Sequence, residues 1–199
     1  MWCVVGRTIG FCRPPGAKRE AMLYYRRRLP HWVPDQAALF VTWRLAGSLP
    51  ARQPEVLRAE RVNFMQHDEE VHRGSTGPHW LQDQRIADVV SKAILHGESE
   101  RRSYDLHAVG GDAQSCARTV GAARASAGGH DVAKGTTARR ANRILGLRGE
   151  PFWQDEFYDH WIRTEEEMSA VTAYVEDNPV KAGLARCSAD WPWSSAYLR

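Results

Sequence analysis

The stretch from Thr164 to Leu184, TEEEMSAVTAYVEDNPVKAGL, holds the residue types best suited to chemistry. Tyr174 and Asn178 stand four residues apart, so on a helix they share one face, a turn from each other. A tyrosine phenol can serve as a nucleophile that forms a covalent intermediate, and an amide beside it could meet the same bound group. Pattern alone offers plainer readings. Tyr174 falls in the apolar stripe Met168, Val171, Tyr174, Val175 and reads as a core side chain. Asn178 before Pro179 reads as a helix stop, with the helix ending at the proline.

The other chemistry-bearing residues are dispersed. Cys3, Cys12, Cys116 and Cys187 form no Cys-x-x-Cys pair, which argues against a structural zinc site or a disulfide framework. A reducing cytoplasm is therefore the expected compartment. The sequence contains no His-x-His. His107 and His130 stand alone and read as solvated or packing histidines. The net charge of +3 and pI near 8.8 permit a nucleic-acid partner without requiring one. No apolar run approaches the roughly 18 residues of a membrane span. The first residues are too short an apolar run for a signal peptide. Residues 1–23, with Pro14, Pro15 and mixed charge, read as a disordered leader, and 24–199 as one domain.

Several elements must position the candidate residues. ALFVTWRL, Ala38 to Leu45, is aromatic and β-branched and predicts a strand ended by Gly47 and Pro50. A helical pattern covers Pro54 to about Val71. A second runs from roughly His79 to Leu95, with Ile86, Val89, Val90, Ala93 and Ile94 at helical spacing. SYDLHA, Ser103 to Ala108, looks like the start of a strand. Thr136 to Leu147 predicts a short basic helix with Gly146 near its end. PFWQDEFYDHWIR, Pro151 to Arg163, predicts a strand or extended arm. Thr164 and Glu167 have capping-box spacing at the start of the last helix, and Glu165 to Glu167 suit its positive end. Alternating strands and helices predict an α+β layer structure.

RRRLPHWVPDQAALFVTWRLAGSLP (26–50), GEPFWQDEFYDHWIRTEEE (149–167), AYVEDNPVKAGL (173–184) and WPWSSA (191–196) together resemble one family. It is the REP-associated tyrosine transposases, among the insertion-sequence-200-like, HUH-type single-strand DNA transposases. The similarity covers about residues 24–108 and 135–197. It implies a ferredoxin-like core with an antiparallel sheet and packed helices. It also implies a His-hydrophobic-His strand and a C-terminal helix carrying the nucleophile. Carried over by position, Tyr174 matches that nucleophile. Asn178 matches the polar residue that completes a Mg²⁺ or Mn²⁺ site. The implied chemistry is phenol attack on a scissile phosphorus, leaving a 5′-phosphotyrosine and a free 3′-hydroxyl.

One segment departs from the family. After SYDLHA the strand should continue much as WVVMPNHVH, whose two histidines hold the metal. Here it reads VGGDAQSCAR, within residues 109–134 that hold no Leu, Ile, Met, Phe, Tyr or Trp. Such a composition predicts that this region cannot form a buried central strand, so one central strand is expected to be disrupted and the product destabilised. No metal is expected to be bound here. Two compensating frameshifts would explain the segment. If Val109 to Arg118 were encoded GTG GGT GGT GAT GCC CAA TCA TGT GCA CGN, a one-base shift would read WVVMPNHVH. The first histidine would straddle Ser115 and Cys116, and the second Ala117 and Arg118.

The resemblance also implies a single-stranded DNA hairpin, a repetitive palindrome, as partner. Arg139, Arg140 and Arg143 on the short basic helix, with the run Arg26 to Arg28, are the expected phosphate contacts. Trp153, Phe157, Tyr158 and Trp161 are either base-stacking platforms or core. The expected function is transposase-family DNA binding and single-strand cleavage and rejoining, impaired here by the missing histidines. The alternative is a non-catalytic hairpin binder or an unstable remnant.

Overall fold

The computed structural model describes the backbone of residues 3–5, 8–10, 22–26, 30–34, 37–48, 76–121 and 127–197. It describes the side chains of residues 37–48, 76–121 and 133–197. The helix expected over 54–71 lies outside these residues, as do Arg27 and Arg28.

Four short strands precede the main body. β1 (Cys3–Val5) pairs antiparallel with β2 (Thr8–Gly10), and β3 (Met22–Arg26) with β4 (Pro30–Pro34). The β-branched Val4, Val5 and Ile9 suit the paired strands β1 and β2. Then come β5 (Ala38–Arg44), a 3-10 turn (Trp80–Gln82), α1 (Gln84–Ser99), β6 (Asp105–Gly111), β7 (Ser115–Gly121), α2 (Ala127–Leu145), β8 (Tyr158–Ile162) and α3 (Glu165–Lys181). The main sheet has the order β6-β7-β5-β8, antiparallel throughout. With α1 before β6 and α2 before β8, this is the split β-α-β arrangement of a ferredoxin-like fold.

Period-two alternation along β5 sorts the core into two layers. Leu39, Val41 and Trp43 pack with Ile86, Val90 and Ile94 of α1 and Ala141 of α2. Phe40 points the other way and packs with Val171, Tyr174 and Val175 of α3. Helices therefore cover both faces: α1 and α2 on one, α3 on the other. No described helix is long and apolar enough to cross a membrane.

The expectation that residues 109–134 break the sheet is corrected. β7 pairs on both sides, Ser115 to Val120 against β5 and Cys116 to Gly121 against β6, and every residue of it is buried. Strand pairing needs only backbone groups, and the neighbours β5, α1 and α3 supply the apolar surface that β7 lacks. The hairpin also has its own turn chemistry. The Asp112 carboxylate accepts from the amides of Gln114 (2.6 Å) and Ser115 (2.7 Å) and from the Ser115 hydroxyl (2.5 Å), an Asx-type closure. Before it, Gly110 and Gly111 allow close approach. A Cβ on Gly110 would stand 2.2 Å from the Val175 carbonyl oxygen of α3, and one on Gly111 2.6 Å from the Ser115 carbonyl oxygen.

Other boundaries shift in smaller ways. The basic helix begins at Ala127 rather than Thr136 and closes at Gly146, where φ is +71°. The Leu147 amide donates to the Asn142 carbonyl there, as a glycine-ended helix requires. The last helix does not end at Pro179 but runs on to Lys181. Pro179 removes one amide, whose partner would be the Val175 carbonyl that abuts Gly110, and the helix tolerates that single loss. It ends at Gly183 (φ +70°), where Gly183 donates to Val180 and Leu184 to Pro179, a Schellman closure. The expected start holds in part: the Thr164 hydroxyl accepts from the Glu167 amide at 3.1 Å. The Glu167 carboxylate caps the Arg163 amide instead, at 2.7 Å. At the far end Ser195 clasps β6, its amide donating to the Val109 carbonyl (2.9 Å) while its hydroxyl accepts from the Val109 amide (3.1 Å).

Candidate functional site

Helix α3 places Tyr174 and Asn178 on its sheet-facing side, and both are buried, at 8% and 7% exposure. The Tyr174 ring meets Phe40 edge-on, 6.3 Å between centroids. The Lys181 ammonium lies 4.5 Å from the centre of the Tyr174 ring, close enough for a cation–π attraction. Lys181 is one residue that sequence reasoning passed over, although its position two helical turns beyond Tyr174 put it on the same face.

The sheet face beneath α3 is fixed by register. Opposite residues share a face, so Phe40 with Thr119, Thr42 with Ala117 and Arg44 with Ser115 all turn toward the α3 side. Ala108 and Ala117 pack there with Tyr174. The hydroxyl oxygens of Thr42 and Thr119 are buried without a hydrogen-bond partner. This donor set does not suit a divalent ion. Mg²⁺ and Mn²⁺ favour carboxylate, carbonyl, water or imidazole ligands, whereas β7 offers alanine and neutral hydroxyls here. Among the described residues no three His, Cys, Asp or Glu are grouped to hold a metal. Burial pushes the Cys116 thiol up to about 12, the Arg118 charge opposing that rise and Asp112 adding to it. The thiol is thus protonated at neutral pH, and Cys116 turns to the opposite face in any case.

Nearby, His160 of β8 and Glu167 of α3 join at 2.8 Å. Burial works to raise the Glu167 carboxyl, but the Arg163 amide and the His160 ring outweigh it and hold it below the ordinary value.

On the opposite side of the sheet, Arg139, Arg140 and Arg143 of α2 are exposed. Arg26 ends β3, and its side chain lies outside the described residues. Of the four candidate stacking residues, Trp153 and Phe157 are core. Trp153 stands edge-on to Trp43 and Phe152, and its indole N–H donates to the Thr137 hydroxyl. Tyr158 is half-buried against Phe40. Trp161 alone of the four is exposed, with the Arg163 guanidinium 4.8 Å from its ring centre. His107 is exposed at the edge strand, and the side chain of His130 lies outside the described residues.

No family model matches the chain. A protein of Haemophilus influenzae assigned as a REP-associated tyrosine transposase is 38% identical over 50 residues. That match takes in 25% of this chain and spans 28% of the relative's length. A solved structure of a REP-associated tyrosine transposase bound to a REP hairpin superposes with a TM-score of 0.51, at 17% identity. It covers 87% of this chain and 82% of that one, and so shares its fold. The protein these residues build therefore resembles the REP-associated tyrosine transposases, in sequence over a quarter of its length and in fold over most of it.

Proposed function

We propose that this chain is a transposase-family protein that binds single-stranded DNA hairpins at palindromic repeats and is impaired in cutting them. Tyr174 is the ancestral nucleophile. Its phenol oxygen would attack the scissile phosphorus, the bond to the 3′ oxygen would break, and a 5′-phosphotyrosine and a free 3′-hydroxyl would result. Asn178 is the ancestral metal-site residue one turn away. DNA contact falls to Arg139, Arg140 and Arg143.

The observation that carries this reading is the facing of α3 and β7. Tyr174 and Asn178 lie over the strand on which the shifted-frame histidines would fall, between Ser115 and Arg118. In their place stand Ser115, Ala117 and Thr119, none of which carries an imidazole. Two compensating frameshifts across residues 109–134 account for this loss.

A nicking assay on a hairpin oligonucleotide with Mn²⁺ tests the reading, with Tyr174→Phe as control. The expected result is binding in a gel shift but no cleavage above the control. Restoring one base at each end of codons 109–134 should restore Tyr174-dependent cleavage. Tyr174-dependent cleavage by the unaltered chain would overturn the impairment, and absence of any gel shift would overturn the DNA-binding reading.

A further inference from the structure

A cleft of about 350 Å³ opens between α1 and α2, on the sheet face away from Tyr174. Its size falls within the range of sites that hold small ligands, roughly 300–1,000 Å³. Its cationic side chains come from three elements: Lys92 from α1, Arg101 from the loop that follows, and Arg140 from α2, with the His96 imidazole of α1 beside them. The hydroxyls of Ser103 and Thr136 also line it, and no described lining residue is acidic. Lys92 already meets Asp88. Arg101 and Arg140 are exposed, and neither joins an ion pair among the described residues. Gly97 lets Tyr104, another lining residue, pack directly against α1, since a Cβ there would stand 2.2 Å from the Tyr104 hydroxyl.

We propose that this cleft, edged by Arg101 and Arg140, binds the phosphate–sugar backbone of single-stranded DNA. Two guanidinium groups converging on one concavity suit a phosphodiester, because each planar fork can donate two parallel hydrogen bonds to its oxygens. The neighbouring hydroxyls suit further phosphate or sugar oxygens. Arg143 lies one turn along α2 from Arg140 and continues the track outside the cleft. This inference rests on the DNA-binding reading above, but it adds Arg101 and His96 and a path on the face remote from the tyrosine.

The test is fluorescence anisotropy of a labelled oligothymidine strand over a range of salt. The proteins are the unaltered chain, Arg101→Ser, Arg140→Ser, their double variant and an Arg139→Ser/Arg143→Ser pair. Circular dichroism checks that each is folded. If the cleft takes backbone phosphates, Arg101→Ser and Arg140→Ser should each flatten the salt dependence by about 0.7 in log–log slope. Unaltered binding by the Arg101/Arg140 double variant, with loss only in the Arg139/Arg143 pair, would overturn the cleft while leaving the DNA-binding reading standing. No binding of this strand by the unaltered chain would overturn the cleft, while the gel shift on the hairpin decides the DNA-binding reading separately.

Discussion

Arg118 is the residue whose placement costs the fold most visibly. It sits in β7 at 1% exposure, its guanidinium 4.5 Å from the Trp43 ring centre and 4.6 Å from that of Tyr104. It donates to the Tyr104 hydroxyl at 2.9 Å. Desolvation still outweighs these attractions and lowers its pKa. Replacing buried ionic groups by well-packed apolar side chains of similar volume is often neutral or stabilising, by roughly 1–4 kcal/mol for a whole ion pair. Arg118→Met is therefore expected to raise the melting midpoint, by about 2–4 °C for each kcal/mol gained in a chain of this length. A lower midpoint would show that the aromatic and phenol contacts outweigh the burial cost. Glu167 sets an acid limit. Its carboxyl is held below the ordinary 4.5, so its contribution is full above that value and is lost as pH falls through the lowered one. Melting followed from neutral to acid pH should show stability declining below about 4.5, with a flatter decline in Glu167→Gln. An equal decline in the variant would place the acid sensitivity elsewhere. At this scale the sequence was legible for Tyr174 and Asn178, whose spacing put them on one face. It was not legible for Arg118, because nothing in the chain order says which face of a strand an arginine takes until its partner's register is known.

Elements were legible where their patterns were strong. β5, α1 and α3 appear near their expected bounds because alternation, helical spacing and the Thr164 cap all speak locally. β7 was misread because strand formation was judged by side-chain hydrophobicity alone. Its small residues are compatible with a sheet whose neighbours provide the bulk, and the Gly-Gly-Asp turn signal before it was left unused. The extent of α2 was missed for a related reason: glycine and alanine upstream of Thr136 weaken the helical pattern without forbidding it. The same small residues now constrain packing. Gly110→Ala would drive a Cβ toward the Val175 carbonyl of α3 and should destabilise by about 1–3 kcal/mol, as overpacking does. Gly135→Ala in α2 would meet nothing nearer than the Arg139 guanidinium at 3.7 Å and should stabilise by about 0.5–1 kcal/mol. Denaturant titration of the two variants checks both, and equal effects would refute the close approach of α3 to β6.

The whole molecule follows from the order of its elements. A strand, a helix, a hairpin, a helix and a strand dictate few topologies, and the split β-α-β sheet is one in which neither crossover tangles. The final helix then closes the second face of the sheet and carries Tyr174 over β7. What the element order could not disclose is how the outermost strand is finished. Among the described strands β6 pairs with β7 on one side only, and its other side would present open amides and carbonyls. Ser195, from the last stretch of the chain, takes up the amide and the carbonyl of Val109 there. An unpaired strand border is a template for joining other chains, and this small clasp occupies the one amide and one carbonyl that Val109 would offer to such a chain. Removing residues from Trp191 onward should leave the sheet formed but prone to aggregate, seen as concentration-dependent growth in light scattering that the full-length chain does not show.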